Sequence, residues 1–278
     1  MPNALKTREN APDYKNQLAV MAEAARHAGE MARTFQKEGF ERLENKDKGD
    51  PFLTEADLAL DKYLRETLTA AFPDYGWLSE ETETDDTSLD NEFCFIVDPI
   101  DGTRGFVNGK SSFSVSVGLV HNGAPVVGAV CAPMEDVLVS GAVGAGVFVN
   151  GTAVAINQKD LPDTPEVLVS GTEVKNGMWQ KPAENFDIKP MGSVAYKLAL
   201  LAAGRADGVV SLKPKNLHDV CAGHAMLNAM GGQLLDLTQK PVPYTKTGFL
   251  LTGVVAGPTA AAVDAFFQRL RPFLEQSA

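Results

Sequence analysis

The chain has 278 residues, 44% of them hydrophobic and 22% charged, enough to bury a large core as one big domain or two fused halves. A net charge of −11 gives a surface that repels nucleic-acid backbones and anionic lipid, and no run of about 20 apolar residues offers a membrane span. The polar opening from Met1 to Asn10 carries no apolar signal region, and Cys94, Cys131 and Cys221 stand far apart without a CxxC, so a cytoplasmic protein with reduced thiols is expected.

Apolar residues at positions 18, 21, 25, 28, 32 and 35 form a helical stripe between Tyr14 and Phe35. The charged, glycine-containing stretch 44–52 reads as a loop. A second helix is expected over 54–72, ended by Pro73. Phe93 to Val97 reads as a short buried strand, and residues 113–120 alternate as a half-buried antiparallel strand does. Asn122-Gly123 is a hairpin turn leading into a strand over 125–133. Strands over 137–143 and 147–151 make another hairpin, so the middle of the chain reads as an antiparallel meander. The glycine-rich 141–146 lies between two strands and opens no helix, which argues against a dinucleotide fingerprint.

Beyond about residue 160 strands and helices alternate. Strands are expected at 167–171, 208–212, 233–237 and 249–257, with helices at 193–204, 219–230 and 260–274. The division is an antiparallel-sheet half over about 1–158 and an α/β half over about 159–278. His218, Cys221 and His224 share one segment, but their spacing matches no common zinc site.

Asp98 and Asp101 carry the strongest chemical signal, because they end a buried strand, where open sheets place ligands. Two carboxylates about 4 Å apart repel by roughly 1 kcal/mol in water and roughly 4 kcal/mol at an effective dielectric of 20. A divalent cation reverses that sign, and an oxygen-rich site suits Mg²⁺ or Mn²⁺. The bland alternative is an Asx-Pro turn around Pro99. Gly102-Thr103 follows at once, and a helix starting there would seat a phosphate beside the metal. Elsewhere the bland readings are good. Glu80-Glu81 alone reads as a solvated loop, Asp57 as the N3 acid of a capping box begun by Thr54, and Asp219 as an acid favoured at a helix start.

Taken together, Thr54-Glu55-Ala56-Asp57, Glu80-Glu81, the run from Asp98 to Thr103, and the run from Asp219 to Gly223 followed by Gly231-Gly232 resemble the inositol monophosphatase superfamily of Mg²⁺-dependent, lithium-sensitive phosphatases. The resemblance covers nearly the whole chain. It implies an α+β or α/β fold, a layered αβαβα sandwich of the inositol monophosphatase/fructose-1,6-bisphosphatase type. It implies two or three Mg²⁺ ions, with Mn²⁺ a possible substitute. Glu80, Asp98 and the carbonyl of Ile100 would hold one ion, and Asp98, Asp101 and Asp219 a second. Gly102 and Thr103 would bind phosphate, and Asp57 with Thr103 would orient the attacking water.

Two departures bear on the substrate. Arg104-Gly105-Phe106 stands where inositol phosphatases more often have Thr-Asn-Phe, and Leu217-His218 precedes Asp219 where the family commonly carries Trp, with an acid upstream in the inositol enzymes. Residues 101–109 and 192–216 look more like bacterial 3'(2'),5'-bisphosphate nucleotidases. In that reading Arg104, Lys197, Lys213 and Lys215 meet a second phosphate, although Lys213 and Lys215 read equally well as solvated loop charges. The expected activity is hydrolysis of adenosine 3',5'-bisphosphate. An inositol or other sugar phosphatase is the alternative, then a histidinol-phosphate phosphatase, and, in a different class, an interaction protein in transcription or RNA maturation. The expected partner is a phosphorylated small molecule, with no direct nucleic acid, no membrane and possibly a second copy of the chain in a homodimer.

Overall fold

The structure, a computed structural model, describes residues 12–43, 52–81, 88–155, 160–245 and 250–275. The expected loop at 44–52 falls outside these except for Phe52. Helix α1 (Lys15–Glu38) buries Met21, Ala25, Ala28 and Ala32 along the predicted stripe. Helix α2 (Glu55–Ala71) buries Leu60, Leu64 and Leu68, each fully sequestered and worth roughly 1.5–3 kcal/mol.

Both helices cover one face of a seven-stranded sheet. Its strands β1 (Gly76–Ser79), β2 (Phe93–Asp101), β3 (Ser114–His121), β4 (Ala124–Ala132), β5 (Val137–Ala142), β6 (Gly146–Val149) and β7 (Thr152–Ala153) lie side by side in chain order. The short helix α3 (Thr103–Val107) leaves the end of β2. Asn122 and Gly123 both take positive φ, 49° and 76°, as the expected hairpin turn requires.

The second half supplies β8 (Glu166–Ser170), α4 (Gly171–Lys175), β9 (Asp187–Met191), α5 (Val194–Ala202), β10 (Gly208–Ser211), β11 (Lys215–Asn216), α6 (Leu217–Met230), β12 (Gln233–Asp236), β13 (Leu250–Leu251), β14 (Val254–Gly257) and α7 (Ala260–Leu274). Five of these strands form a mixed sheet in the order β12-β14-β10-β8-β9. Helices α5 and α6 lie between the two sheets, and α7 covers the outer face of the second. The layers therefore run helix, sheet, helix, sheet, helix, with one hydrophobic cluster under α1 and α2, one on both sides of the middle helices and one under α7.

Four expectations are corrected. Strand β2 does not stop at Val97 but continues to Asp101, because Asp98 still pairs with Ser116 and Asp101 with Ser114 across a bulge. The expected antiparallel meander is present from β2 to β7, but β1, which pairs parallel to β2 at its edge, was not foreseen. Strand β9 was not foreseen. The expected strand at 249–257 is two, β13 pairing with β11 and β14 with β10 and β12, broken at Gly253 with φ 142°.

Helix α6 approaches the first sheet through a pair of glycines. Gly118 and Gly128 face each other across β3 and β4. A methyl group on Gly128 would lie 2.0 Å from the Ala222 carbonyl oxygen, and one on Gly118 would lie 2.5 Å from Cys221 Sγ. The helix backbone thus rests directly on the sheet, which fixes where its first turn points. Gly128→Ala is expected to destabilise the fold by about 1–3 kcal/mol through overpacking, read as a lower chemical-denaturation midpoint with an unchanged slope.

Candidate functional site

The bulge in β2 gathers four acids. Asp98 and Asp101 lie at its end, Glu80 follows β1 directly, and Asp219 opens α6. Because β1 runs parallel to β2, with Ser79 opposite Val97, Glu80 comes beside Asp98 instead of standing in a solvated loop. Asp98, Asp101 and Asp219 each offer an oxygen within 4.8 Å of the others.

The scaffold holds each acid by one edge. Asp101 Oδ2 accepts hydrogen bonds from Ser193 Oγ and the Ala195 N–H, both 2.6 Å, at the N-terminus of α5. Ser193 takes a left-handed φ of 48° to do this, and its hydroxyl also meets Ser114 Oγ at 2.9 Å and caps Tyr196. Asp219 Oδ2 accepts the Asn216 N–H at 2.7 Å in a capping box. Asp57, 1% exposed, closes the matching box on α2, accepting the Thr54 N–H at 2.9 Å and the Thr54 hydroxyl at 2.6 Å.

Asp98 differs. It is 1% exposed, and its Oδ1 has no hydrogen-bond partner among the described residues. A buried carboxylate oxygen without a donor is costly unless a cation completes it. The donors around it are hard oxygens suited to Mg²⁺ or Mn²⁺, so the residues present fit such an ion.

The electrostatics agree. Burial, then the charges of Glu80, Asp101 and Asp219, pushes Asp98 well above the usual carboxylate range. Burial, then Glu81 and Asp219, raises Glu80 to about 8. Asp101 and Asp219 are raised too, again first by burial, with Ser193, Ala195 and Lys197 pulling Asp101 back and Lys215 and the Asn216 N–H pulling Asp219 back. Lys197 is itself buried on α5. Desolvation lowers its ammonium to about 8, while Asp101, Glu173 and Asp219 hold its charge.

The remaining expected residues lie around this cluster. Gly102, with φ 95°, caps α3, and a side chain there would press to 3.1 Å from the Ser112 carbonyl oxygen. Thr103 opens α3, and its hydroxyl donates to the Ile100 carbonyl oxygen at 2.9 Å. The Arg104 guanidinium lies over the Phe52 ring, 5.0 Å from its centre. The Lys215 ammonium donates to the Pro214 carbonyl oxygen, and its charge is felt by Asp219 and Lys197. Lys213 is fixed by its backbone N–H, which donates to Glu173.

Sequence reasoning missed Glu173. It is fully buried and accepts from Ser211 Oγ, the N–H groups of Leu212 and Lys213, and Trp179 Nε1. It thereby anchors the turn that leads through β11 into the Asp219 helix. Ser193 was also missed as the Asp101 partner. No local signal marks either pairing, because Ser211 lies 38 residues from Glu173 and Asp101 lies 92 residues from Ser193.

The model described as the inositol monophosphatase family matches residues 13–266. The inositol monophosphatase of Mesembryanthemum crystallinum is 31% identical over 244 residues, covering 83% of this chain and 88% of that protein. The fructose-1,6-bisphosphatase/inositol-1-monophosphatase of Aquifex aeolicus is 29% identical over 274 residues, covering 95% of this chain and 98% of the relative. The solved structure of a Thermotoga maritima IMPase superposes with a TM-score of 0.78 at 22% identity, covering 95% of this chain and all of that one.

A protonated Glu80 stabilises the metal-free fold below about pH 4.5, and that contribution is lost as pH rises through its folded value of about 8. Thermal melting in chelator is therefore expected to fall between pH 5 and 9. Saturating Mg²⁺ should flatten the decline, and metal binding measured by calorimetry in two buffers should release protons below pH 8.

Proposed function

The chain belongs to the inositol monophosphatase family, and from that premise we propose a cytoplasmic, metal-dependent phosphomonoesterase that hydrolyses adenosine 3',5'-bisphosphate to AMP and phosphate. The observation that carries the phosphatase reading is the buried Asp98 oxygen without a donor, within reach of two further carboxylates. In this reading Glu80, Asp98, the Ile100 carbonyl, Asp101 and Asp219 hold two or three Mg²⁺ ions, with Mn²⁺ a possible substitute. Bound there, Mg²⁺ supplies positive charge that lowers the pKa of water and offsets the charge of the phosphoryl group.

The chain's own groups do the rest. Gly102 would permit close approach to phosphate, and the first N–H groups of α3 would be its donors. Thr103 and Asp57 orient the attacking water, each already held in one rotamer by its bond to Ile100 or Thr54. No covalent link to the chain is required, because water attacks phosphorus and the P–O3' bond breaks.

The choice of a bisphosphate rests on the cations near the acids. Lys197 and Lys215 bring positive charge beside Asp101 and Asp219, and Arg104 and Lys213 are the further cations in this reading. Leu217, 1% exposed in the first turn of α6, offers no acceptor for an inositol hydroxyl. The Aquifex aeolicus relative, whose name pairs a bisphosphate with a monophosphate, supports a site of this family taking two phosphates.

The test is Mg²⁺-dependent phosphate release, with and without Li⁺, from adenosine 3',5'-bisphosphate, inositol 1-phosphate and histidinol phosphate at equal concentration. Preference for the first, with inhibition by Li⁺, is expected. Preference for either monoester would move the substrate to that class, and no metal-dependent release from any would turn attention to an interaction role. Asp98→Asn is expected to abolish turnover while circular dichroism shows the fold retained; substantial residual rate would sink the metal assignment. Leu217→Glu is expected to raise relative activity on inositol 1-phosphate, and an unchanged ratio would remove the pocket argument.

A further inference from the structure

A second donor group overlaps the first. Glu80, Asp98 and His218 each present one ligand atom within 4.8 Å of the other two, and Asp98 belongs to both groups. His218 is the second residue of α6, next to Asp219, and its side chain is 15% exposed. Its Nε2 lies 4.0 Å from Glu80 Oε1. Two ligands of one six-coordinate ion with bonds of about 2.1 Å stand about 3 Å apart when adjacent and about 4 Å when opposite, so the separation of this pair is in the range of two ligands of one ion.

The two groups differ in chemistry. Asp98, Asp101 and Asp219 offer only oxygen, the donor set of Mg²⁺. Glu80, Asp98 and His218 add an imidazole nitrogen, which suits Mn²⁺ and later first-row metals better than Mg²⁺. The Asp98 oxygen without a donor, shared between the two groups, is the sign that a cation belongs at Asp98. An ion pair between Glu80 and a charged His218 would leave that oxygen unsatisfied, whereas a cation reached by all three residues would satisfy it.

We infer that His218 is the nitrogen ligand of an ion seated on Glu80 and Asp98, and that this seat selects Mn²⁺ over Mg²⁺. The inference rests on the reading that Glu80 and Asp98 hold a metal, and the test separates the two. One equivalent of Mn²⁺ is added to the metal-stripped full chain. Binding is followed by loss of the aquo-Mn²⁺ electron paramagnetic resonance signal, and coordination by pulsed measurement of ¹⁴N coupling. Imidazole ¹⁴N modulation is expected, replaced by the ¹⁵N pattern when histidine is ring-labelled.

In His218→Gln, which keeps the size and offers oxygen for nitrogen, the modulation is expected to vanish. The ratio of Mn²⁺ to Mg²⁺ affinity should fall about tenfold. Bound Mn²⁺ without nitrogen modulation in the native chain, modulation that persists in the variant, or an unchanged affinity ratio would each overturn the inference while leaving the metal reading standing. Failure of the native chain to bind Mn²⁺ at all would overturn both.

Discussion

The mutual repulsion of four clustered carboxylates, two of them buried, is the constraint around which this fold is organised. Each close pair is unfavourable by roughly 4 kcal/mol at an effective dielectric of 20, and burial adds to that. Left to side-chain freedom, such groups would swing apart. The chain prevents this by fixing their backbones. A bulge still paired to β3 holds Asp98 and Asp101, the N-terminus of α5 grips one oxygen of Asp101, and a capping box grips one oxygen of Asp219. The glycine pair beneath α6 then sets the depth at which Asp219 stands. The raised proton affinities of all four acids are the residue of this confinement.

Much of this was legible in the sequence because it is written locally. The stripe of α1, the capping box of α2, the Asn122-Gly123 turn and the acids around Pro99 each need only a few neighbouring residues. What was hidden depends on distant partners. Pro99 between two acids looks like the end of a strand, yet Ser114 and Ser116 keep β2 paired through Asp101. Four residues of β1 carry too short a pattern to declare a parallel strand. Strand β9 contains Lys189 and Pro190, composition that argues against a strand until its place at the sheet edge is known.

Glu173 shows the same limit from the other side. In sequence it is an ordinary acid in a short polar helix, and in space it is the hub of the turn before Asp219. Asp57 was legible twice over, as a cap and as a candidate reacting group. The capping geometry is present, with both bonds to Thr54 on a single oxygen. In the proposed reading, the group that orders the helix would already be aligned for chemistry.

The capping box from Asn216 to Asp219 has a further meaning. It secures the start of α6 through the residues at its two ends, leaving Leu217 and His218 enclosed between them. Neither of those side chains is needed to begin the helix. Leu217 packs into the central core, whereas a lineage carrying this fold can exchange His218 without re-solving the folding problem. The bracket leaves the position beside Asp219 open to evolutionary change.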